Sequence, residues 1–299
     1  MAAGTAFTLG RAKSALLSVC QSRNIDFADA VLARFGENAT FTIEGHSLVV
    51  RVGRSTLAAE KEANVARWLE ANRFPAARLA KGFDRPIVAA DLPVTLWEYL
   101  PPGDEPISSR EFGTVLRELH ELPAPTDFQL PAFEPLPKVP GRLENIRPGY
   151  LSADEFGFLA ARTAELNEKF ARLDFPLPSG PVHGDAHPGN LHRTSDGSIH
   201  LIDFEDFAIG PREWDAAVLS VRHQAFGWET DEDYRQYVDA YGFDASTWPG
   251  FPVLRAAREL NMTTWLAQKL GESPQVDAEI HRRIADLCDD QFPRTWQVF

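Results

Sequence analysis

The chain has 299 residues, 44% hydrophobic and 24% charged, with 20 Gly and 22 Pro, a composition that excludes the disordered, collagen-like and coiled-coil classes. Two cysteines, Cys20 and Cys288, cannot build a disulfide framework and lack metal-site spacing; no stretch approaches the roughly 20 apolar residues of a membrane span; and a net charge of −13 argues against nucleic acid as a partner. The charge is uneven: residues 1–100 hold 12 Lys+Arg against 10 Asp+Glu, net +2, and residues 101–299 hold 18 against 33, net −15, as expected of two parts with different tasks.

Acidic residues are absent before Asp26, as in transit peptides, but Ala12, Leu16, Leu17 and Val19 are spaced for an ordinary amphipathic first helix, and the sequence reads as cytoplasmic. Alternation over residues 40–43 and 48–52 predicts two strands joined by Glu44-Gly45-His46. A helix is expected over 57–72, then strands over 87–90 and 94–100 around an Asp91-Leu92-Pro93 turn. Pro101-Pro102-Gly103 breaks the pattern, and helices are expected over 108–122, 153–173, 212–224, 231–241, 251–270 and 274–288. Residues 123–148 are Pro-rich and read as a long irregular connection. Strands first and helices later, with a break near residue 101, predict a two-lobed α+β architecture.

The most informative stretch is Val182-His183-Gly184-Asp185-Ala186-His187-Pro188-Gly189-Asn190-Leu191, followed by the turn Ser195-Asp196-Gly197-Ser198 and by His200-Leu201-Ile202-Asp203-Phe204-Glu205. Two apolar strands flank the turn, so the loop before it and the acid after it are expected at one end of a hairpin, with Asp185, Asn190 and Asp203 in one polar cluster. A carboxylate and an amide oxygen, Asp203 and Asn190, are hard ligands that suit Mg²⁺, and Asp185 is left to handle a proton.

These residues resemble the aminoglycoside phosphotransferase and choline kinase family, relatives of the protein kinases, whose signature is a catalytic loop H-G-D-x-h-x-x-N followed by a strand ending I-D-[FW]-[ED]. The resemblance implies a protein-kinase-like fold: a small β-rich nucleotide-binding lobe over residues 1–100, and a larger helical lobe over 101–299 carrying the catalytic loop and the acceptor site. It implies that Asp185 is the catalytic base, that Asn190 and Asp203 hold magnesium, that His183 braces the loop, and that Asp215 holds it from a neighbouring helix. In the first lobe, Gly36, Asn38, Ala39 and Thr40 resemble the family's phosphate-covering turn, where small residues let backbone N–H groups approach phosphate oxygens. Arg51 stands where protein kinases have lysine and can bridge phosphates to a carboxylate, expected to be Glu62 on the next helix. Leu96-Trp97-Glu98-Tyr99-Leu100 resembles the hinge, where backbone groups of Glu98 and Leu100 pair with a purine edge and Trp97 guards the back of the pocket or packs.

The resemblance therefore implies Mg²⁺-dependent transfer of the γ-phosphoryl group of ATP, or of GTP, to a hydroxyl of a small molecule. The 11 residues between Asp203 and Asp215 leave no room for a peptide-binding activation segment, which argues against a protein kinase. The acidity of residues 101–299 favours a cationic acceptor such as an aminoglycoside or another amino-bearing antibiotic, and so a role in antibiotic resistance. Glu205 and Asp206 are candidates for its rim, and the helix over 251–270 offers Arg258, Glu259, Asn261 and Trp265. Asp231 to Asp233 read better as the acidic start of a helix. The alternatives are a kinase of a choline-like amine, homoserine, a sugar or a macrolide, and a nucleotide-binding module without catalysis. No membrane partner is expected, and the chain suits a monomer or a homodimer.

Overall fold

The computed structural model describes residues 7–36, 38–289 and 294–297. In chain order the elements are α1 (Leu9–Arg23), β1 (Val31–Phe35), β2 (Ala39–Ile43), β3 (Leu48–Val52), α2 (Thr56–Ala71), β4 (Ile87–Ala89), β5 (Leu92–Glu98), α3 (Ser109–Glu121), α4 (Val139–Glu144), α5 (Ala153–Ala171), β6 (Gly180–Val182), β7 (Leu191–Arg193), β8 (Ile199–Leu201), β9 (Ala208–Gly210), α6 (Glu213–Gln224), α7 (Asp231–Tyr241), α8 (Phe251–Ala267) and α9 (Pro274–Leu287). They form two units, one β-rich and one mostly helical, in an α+β fold of the kinase-like kind. The first unit is Met1–Ile107, Pro125–Leu130 and Pro188–Phe207, and the second is Ser108–Ala124, Pro131–His187 and Ala208–Phe299. A single cut at residue 100 does not reproduce this division. The β7–β8 hairpin belongs with the first unit because its backbone is tied there: Leu201 N–H donates to Pro75 O at 3.0 Å, Ala77 N–H to Leu201 O at 2.9 Å, and Gly103 N–H to Arg193 O at 2.8 Å.

In the first unit the sheet runs β1-β2-β3-β5-β4, every neighbour antiparallel. Alternate residues of the central strands, Phe41, Ile43, Val50, Val52, Val94 and Leu96, are buried against Ala12, Ala15, Leu16, Val19 and Cys20 of α1. Leu17, expected on the same face, is exposed instead, because it sits between the helical rows that face the sheet. The Thr8 hydroxyl caps α1 by accepting from Arg11 N at 3.3 Å, and Asn24 ends it in the left-handed region at φ 55°. Two features depart from the sequence reading. Alternation does not announce β1, which only the resemblance to a phosphate-covering turn between two strands implies: it is a sheet-edge strand whose residues are nearly all exposed. The β4–β5 turn falls on Ala90 and Asp91, both at positive φ, and β5 starts at Leu92, whereas the expected turn was Asp91-Leu92-Pro93. Pro93 is tolerated inside the strand while its carbonyl accepts from Gly53 N at 2.8 Å.

In the second unit, Ser108 and Ser152 form capping boxes with Glu111 and Glu155, fixing the starts of α3 and α5. α3 crosses α7 at close range because Gly113 has no side chain: a Cβ there would lie 2.8 Å from the Tyr237 carbonyl oxygen. The connection expected to be irregular contains α4, whose Pro140 sits in the first turn, where no helical N–H is required, and whose Val139 and Leu143 enter the core. β6 and β9 form a short antiparallel pair, and Trp214, Leu254, Leu260 and Ile280 are among the residues of the helical core. Among the described residues no helix is long and apolar enough to cross a membrane.

Candidate active site

In the first unit, β3 carries Arg51 inward beneath α2, where its guanidinium meets Glu62 at 2.8 Å. The same guanidinium reaches Asp203 Oδ1 at 3.2 Å and Glu205 Oε2 at 3.3 Å. Burial opposes the charge of Arg51, but Glu62, Asp203 and Glu205 together raise its pKa. Glu62, 4% exposed, goes up to about 7, because burial outweighs the pull of Arg51 and the other two carboxylates add to the cost of its charge. A further contact, Arg34 to Asp203 at 3.9 Å, comes from a side chain 72% exposed and contributes little.

The β7–β8 hairpin sets Asn190 and Asp203. Leu191 pairs with Leu201, and one step beyond that pair Ile202 N–H donates to Asn190 O at 2.9 Å, so Asn190 and the residue before Asp203 face each other at the open end of the hairpin. Asp203 takes φ 65°, a left-handed conformation that costs a non-glycine residue energy and turns the chain sharply into the 3₁₀ turn Phe204–Asp206. Lys61 of α2 donates to Glu205 O and, at 3.4 Å, to Phe207 O, so α2 positions both the Arg51 partner and the turn after Asp203. No local pattern marks Lys61, since its partners are backbone carbonyls far along the chain.

Glu205 was expected on an acceptor rim. Its carboxylate instead lies on Arg51 and accepts from Asn38 Nδ2 at 3.3 Å. Asn38 belongs to the β1–β2 turn, where Gly36 N–H donates to Asn38 O at 2.9 Å and Arg54 donates to Gly36 O at 2.8 Å; Glu37 lies outside the described residues. Ala39 and Thr40 pair with Val52 and Arg51, so the turn lies beside Arg51 on the sheet. Asp206, the other rim candidate, is half-buried in the 3₁₀ turn. Just past β5, Tyr99 N–H pairs with Ser47 O at 2.9 Å, so by antiparallel alternation the Glu98 backbone groups point to the opposite side, where its N–H meets Arg78 O at 2.9 Å. Leu100 O accepts from His192 Nε2 at 2.9 Å. Trp97 is packed rather than open: its indole N–H donates to Thr95 Oγ1 at 2.8 Å and its ring meets Phe204 edge-on at 5.7 Å.

In the second unit, the loop after β6 is held by Asp215 at the start of α6. The Asp215 carboxylate accepts from His183 N at 2.6 Å and Gly184 N at 3.1 Å, and it also lies 3.2 Å from His120 Nε2. His120 Nδ1 in turn lies 2.8 Å from Tyr241 Oη. Burial opposes the charge of Asp215, yet the hydrogen bond with His120 and the electrostatic pull of His120, His183 and Arg258 hold its pKa below the ordinary value. Trp214 Nε1 donates to Gly184 O at 2.7 Å, so the Gly184 residue is gripped at both its N–H and its C=O. Gly184 takes φ 84°, open to glycine at little cost. His183 is fully buried, its Nδ1 accepting from Asp185 N at 3.3 Å, whereas the Asp185 side chain is 52% exposed, with His187 Nε2 at 3.8 Å. The loop thus buries what holds it and exposes its carboxylate. His120 was not foreseen: it is a single histidine in the last turn of a helix, and only the fold gives it partners.

The helix candidates for the acceptor fare unevenly. Glu259 is buried, with Arg294 at 3.3 Å and Arg255 at 3.7 Å, so its charge serves an internal ion-pair network and not a ligand. Asn261 accepts from Arg142 at 2.7 Å. Trp265 is partly exposed, with Lys269 Nζ 5.0 Å from its ring centre. Asp231 to Asp233 open α7 behind the Thr230 cap, as a helix start does.

The kinase-like α+β fold, which carries an arginine–glutamate pair under the sheet and a braced H-G-D loop in the helical unit, is that of a phosphotransferase. The chain belongs to the phosphotransferase enzyme family, whose model matches residues 31–259. Similar solved structures include the amicoumacin kinase hAmiN bound to AMP-PNP, Ca²⁺ and Ami, 16% identical with TM-score 0.64, covering 86% of this chain and 87% of that one. A choline/ethanolamine kinase family protein from Mesorhizobium loti is 18% identical with TM-score 0.57 over 93% and 92% of the two chains. Spectinomycin phosphotransferase APH(9)-Ia with ADP and spectinomycin is 16% identical with TM-score 0.58 over 87% and 89%. No curated protein sequence matches the chain.

Proposed function

We propose that the chain transfers the γ-phosphoryl group of ATP, or of GTP, to a hydroxyl group of a small molecule. The observation that carries this reading is the convergence of Glu62 and Asp203, from α2 and the end of the β7–β8 hairpin, on the Arg51 guanidinium of β3, at 2.8 Å and 3.2 Å. An arginine that bridges Glu62 through one terminal nitrogen and Asp203 at a hairpin end through the other is placed to meet phosphate oxygens.

In this reading Asp185 accepts the acceptor's hydroxyl proton, and Asp215 and His183 hold the loop that presents it. The backbone of Gly36, Asn38, Ala39 and Thr40 covers the phosphates, and the Glu98 carbonyl and Leu100 N–H meet the purine edge. Asn190 and Asp203 suit Mg²⁺. Among the described residues no three His, Cys, Asp or Glu side chains are grouped to hold a metal ion, and a donor pair of one carboxylate and one amide oxygen fits a cation that keeps water and phosphate oxygens in its shell. When bound, Mg²⁺ would neutralise charge on the phosphates.

The acceptor reading rests on charge. Net −15 over residues 101–299 favours a cationic, amino-bearing acceptor, and structural neighbours are named for amicoumacin, spectinomycin and choline. The test is purified chain with MgATP or MgGTP and a panel of amino-bearing and neutral alcohols, followed by nucleoside diphosphate release and product mass. Transfer to an amino-bearing alcohol is expected. Nucleotide binding with no transfer to any acceptor would leave a binding module.

A further inference from the structure

α8 brings one more charged group to the H-G-D loop. Arg258 lies half-buried with its guanidinium 4.4 Å from the centre of the Trp214 ring, and it donates a hydrogen bond to the Trp214 carbonyl. Trp214 is itself 2% exposed and passes the contact on, its indole N–H donating to Gly184 O at 2.7 Å. The next residue, Asp215, takes the N–H groups of His183 and Gly184. The path from α8 to the residue before Asp185 therefore has two steps, both through Trp214.

Packing alone does not account for an arginine here. A methionine or leucine would cover the Trp214 face without the cost of drawing a cation out of water. Arg258 Nε is buried without a hydrogen-bond partner among the described residues, so the side chain accepts part of that cost. What the charge does gain is the field of Asp215 and Asp185, which support the guanidinium against burial, while Arg258 remains a cation at neutral pH. Glu259, its neighbour in sequence, is committed to Arg294 and Arg255 and does not compete for it.

We propose that Arg258 is a positioning residue for the proposed phosphoryl transfer: it fixes Trp214 against Gly184 and so sets the direction in which the loop presents Asp185. The inference rests on the function proposed above, and its test separates the two. The variants are Arg258→Met, which keeps bulk and removes charge, Arg258→Lys, which keeps a cation able to reach the Trp214 face and carbonyl, and Trp214→Phe, which keeps the ring and removes the indole N–H. Two readouts are taken on the full chain: amide hydrogen exchange at His183 and Gly184, which needs no substrate, and kcat against nucleotide KM in phosphoryl transfer.

For Arg258→Met we expect exchange at those two amides to quicken by about tenfold while the α5 amides are unchanged, since only the loop's local opening is altered. We expect kcat to fall roughly 10- to 100-fold with nucleotide KM within about twofold, the scale of a lost sub-ångström alignment. Arg258→Lys should recover most of both, and Trp214→Phe should resemble Arg258→Met. Wild-type exchange and kcat in Arg258→Met overturn the proposal, as does an Arg258→Lys variant as impaired as Arg258→Met, since a cation on the Trp214 face and carbonyl would then not hold the loop. If Arg258→Met does not fold, Trp214→Phe with wild-type exchange and kcat overturns it equally. A wild-type chain that transfers phosphate to no acceptor would overturn the proposed function, and the exchange measurement would still decide the role of Arg258.

Discussion

Asp185 is set apart from the residues around it by exposure: its loop is held at His183 and Gly184, and its own side chain is 52% exposed. Asp185→Asn should therefore leave the loop and nucleotide affinity nearly intact while lowering turnover by at least roughly 10²-fold, the scale of losing a general base; turnover near wild type would remove Asp185 from the mechanism. Asp203→Ala is expected to abolish the Mg²⁺ dependence of nucleotide binding in titration calorimetry, because Glu62 and Glu205 still hold Arg51 and only the charged metal donor is gone. An unchanged metal dependence would make Asp203 structural. Glu62 gives a pH signature. Its pKa, pushed up to about 7, leaves it neutral below that pH and a carboxylate above, where it can orient Arg51 toward phosphate. Nucleotide affinity should rise as pH increases through about 7, and the rise should vanish in Glu62→Gln. For stability the sign is opposite: a carboxyl with a raised folded pKa favours the fold at low pH, and that contribution is lost as pH rises through about 7. A denaturant midpoint followed from pH 5 to 9 checks this.

Elements were legible in the sequence where a local rule governs them. The β7–β8 hairpin follows from apolar runs around Ser195-Asp196-Gly197-Ser198, and α7 begins and ends where the sequence expects because Thr230 caps it and Gly242 ends it at φ 92°. Elements set by distant partners were not legible. β1 exists because β2 offers it an edge, α4 because the core takes Val139 and Leu143, and the burial of Glu259 because Arg294 comes from 35 residues further on. The candidate site divides in the same way: the H-G-D loop and the I-D strand end carry their spacing in the sequence, while Lys61, His120 and the Trp214–Gly184 bond connect residues that only the fold makes neighbours. The α3–α7 crossing is the element-scale test of that dependence. Gly113→Ala puts a methyl 2.8 Å from the Tyr237 carbonyl, a clash that backbone cannot relieve by a rotamer change. The variant should lose about 1–3 kcal/mol in urea denaturation. Because α3 also carries His120 to Asp215, turnover should fall with stability, and a variant of wild-type stability would mean that the helices separate without cost.

For the whole molecule the deciding quantity is the charge distribution, net +2 over residues 1–100 and −15 over residues 101–299. Acidic surface alone raises solubility, so the imbalance becomes functional only if it acts on a substrate. A field of this sign concentrates cations and speeds their encounter, and it weakens as the screening length falls from about 10 Å at 0.1 M salt to about 3 Å at 1 M. For a polycationic acceptor, kcat/KM should therefore fall as salt is added, and the loss should appear in KM, because the chemical step between bound partners is shielded from bulk ions. Nucleotide parameters should change less, since Arg51 and its carboxylates are largely buried and screened far less than surface charges. Assays of amino-bearing and neutral alcohols at two salt concentrations separate the cases. A best acceptor that is neutral and indifferent to salt would return the acidic residues to a solubility role and move the chain toward sugar or macrolide substrates, with the phosphoryl-transfer machinery proposed for Asp185, Asn190 and Asp203 unaffected.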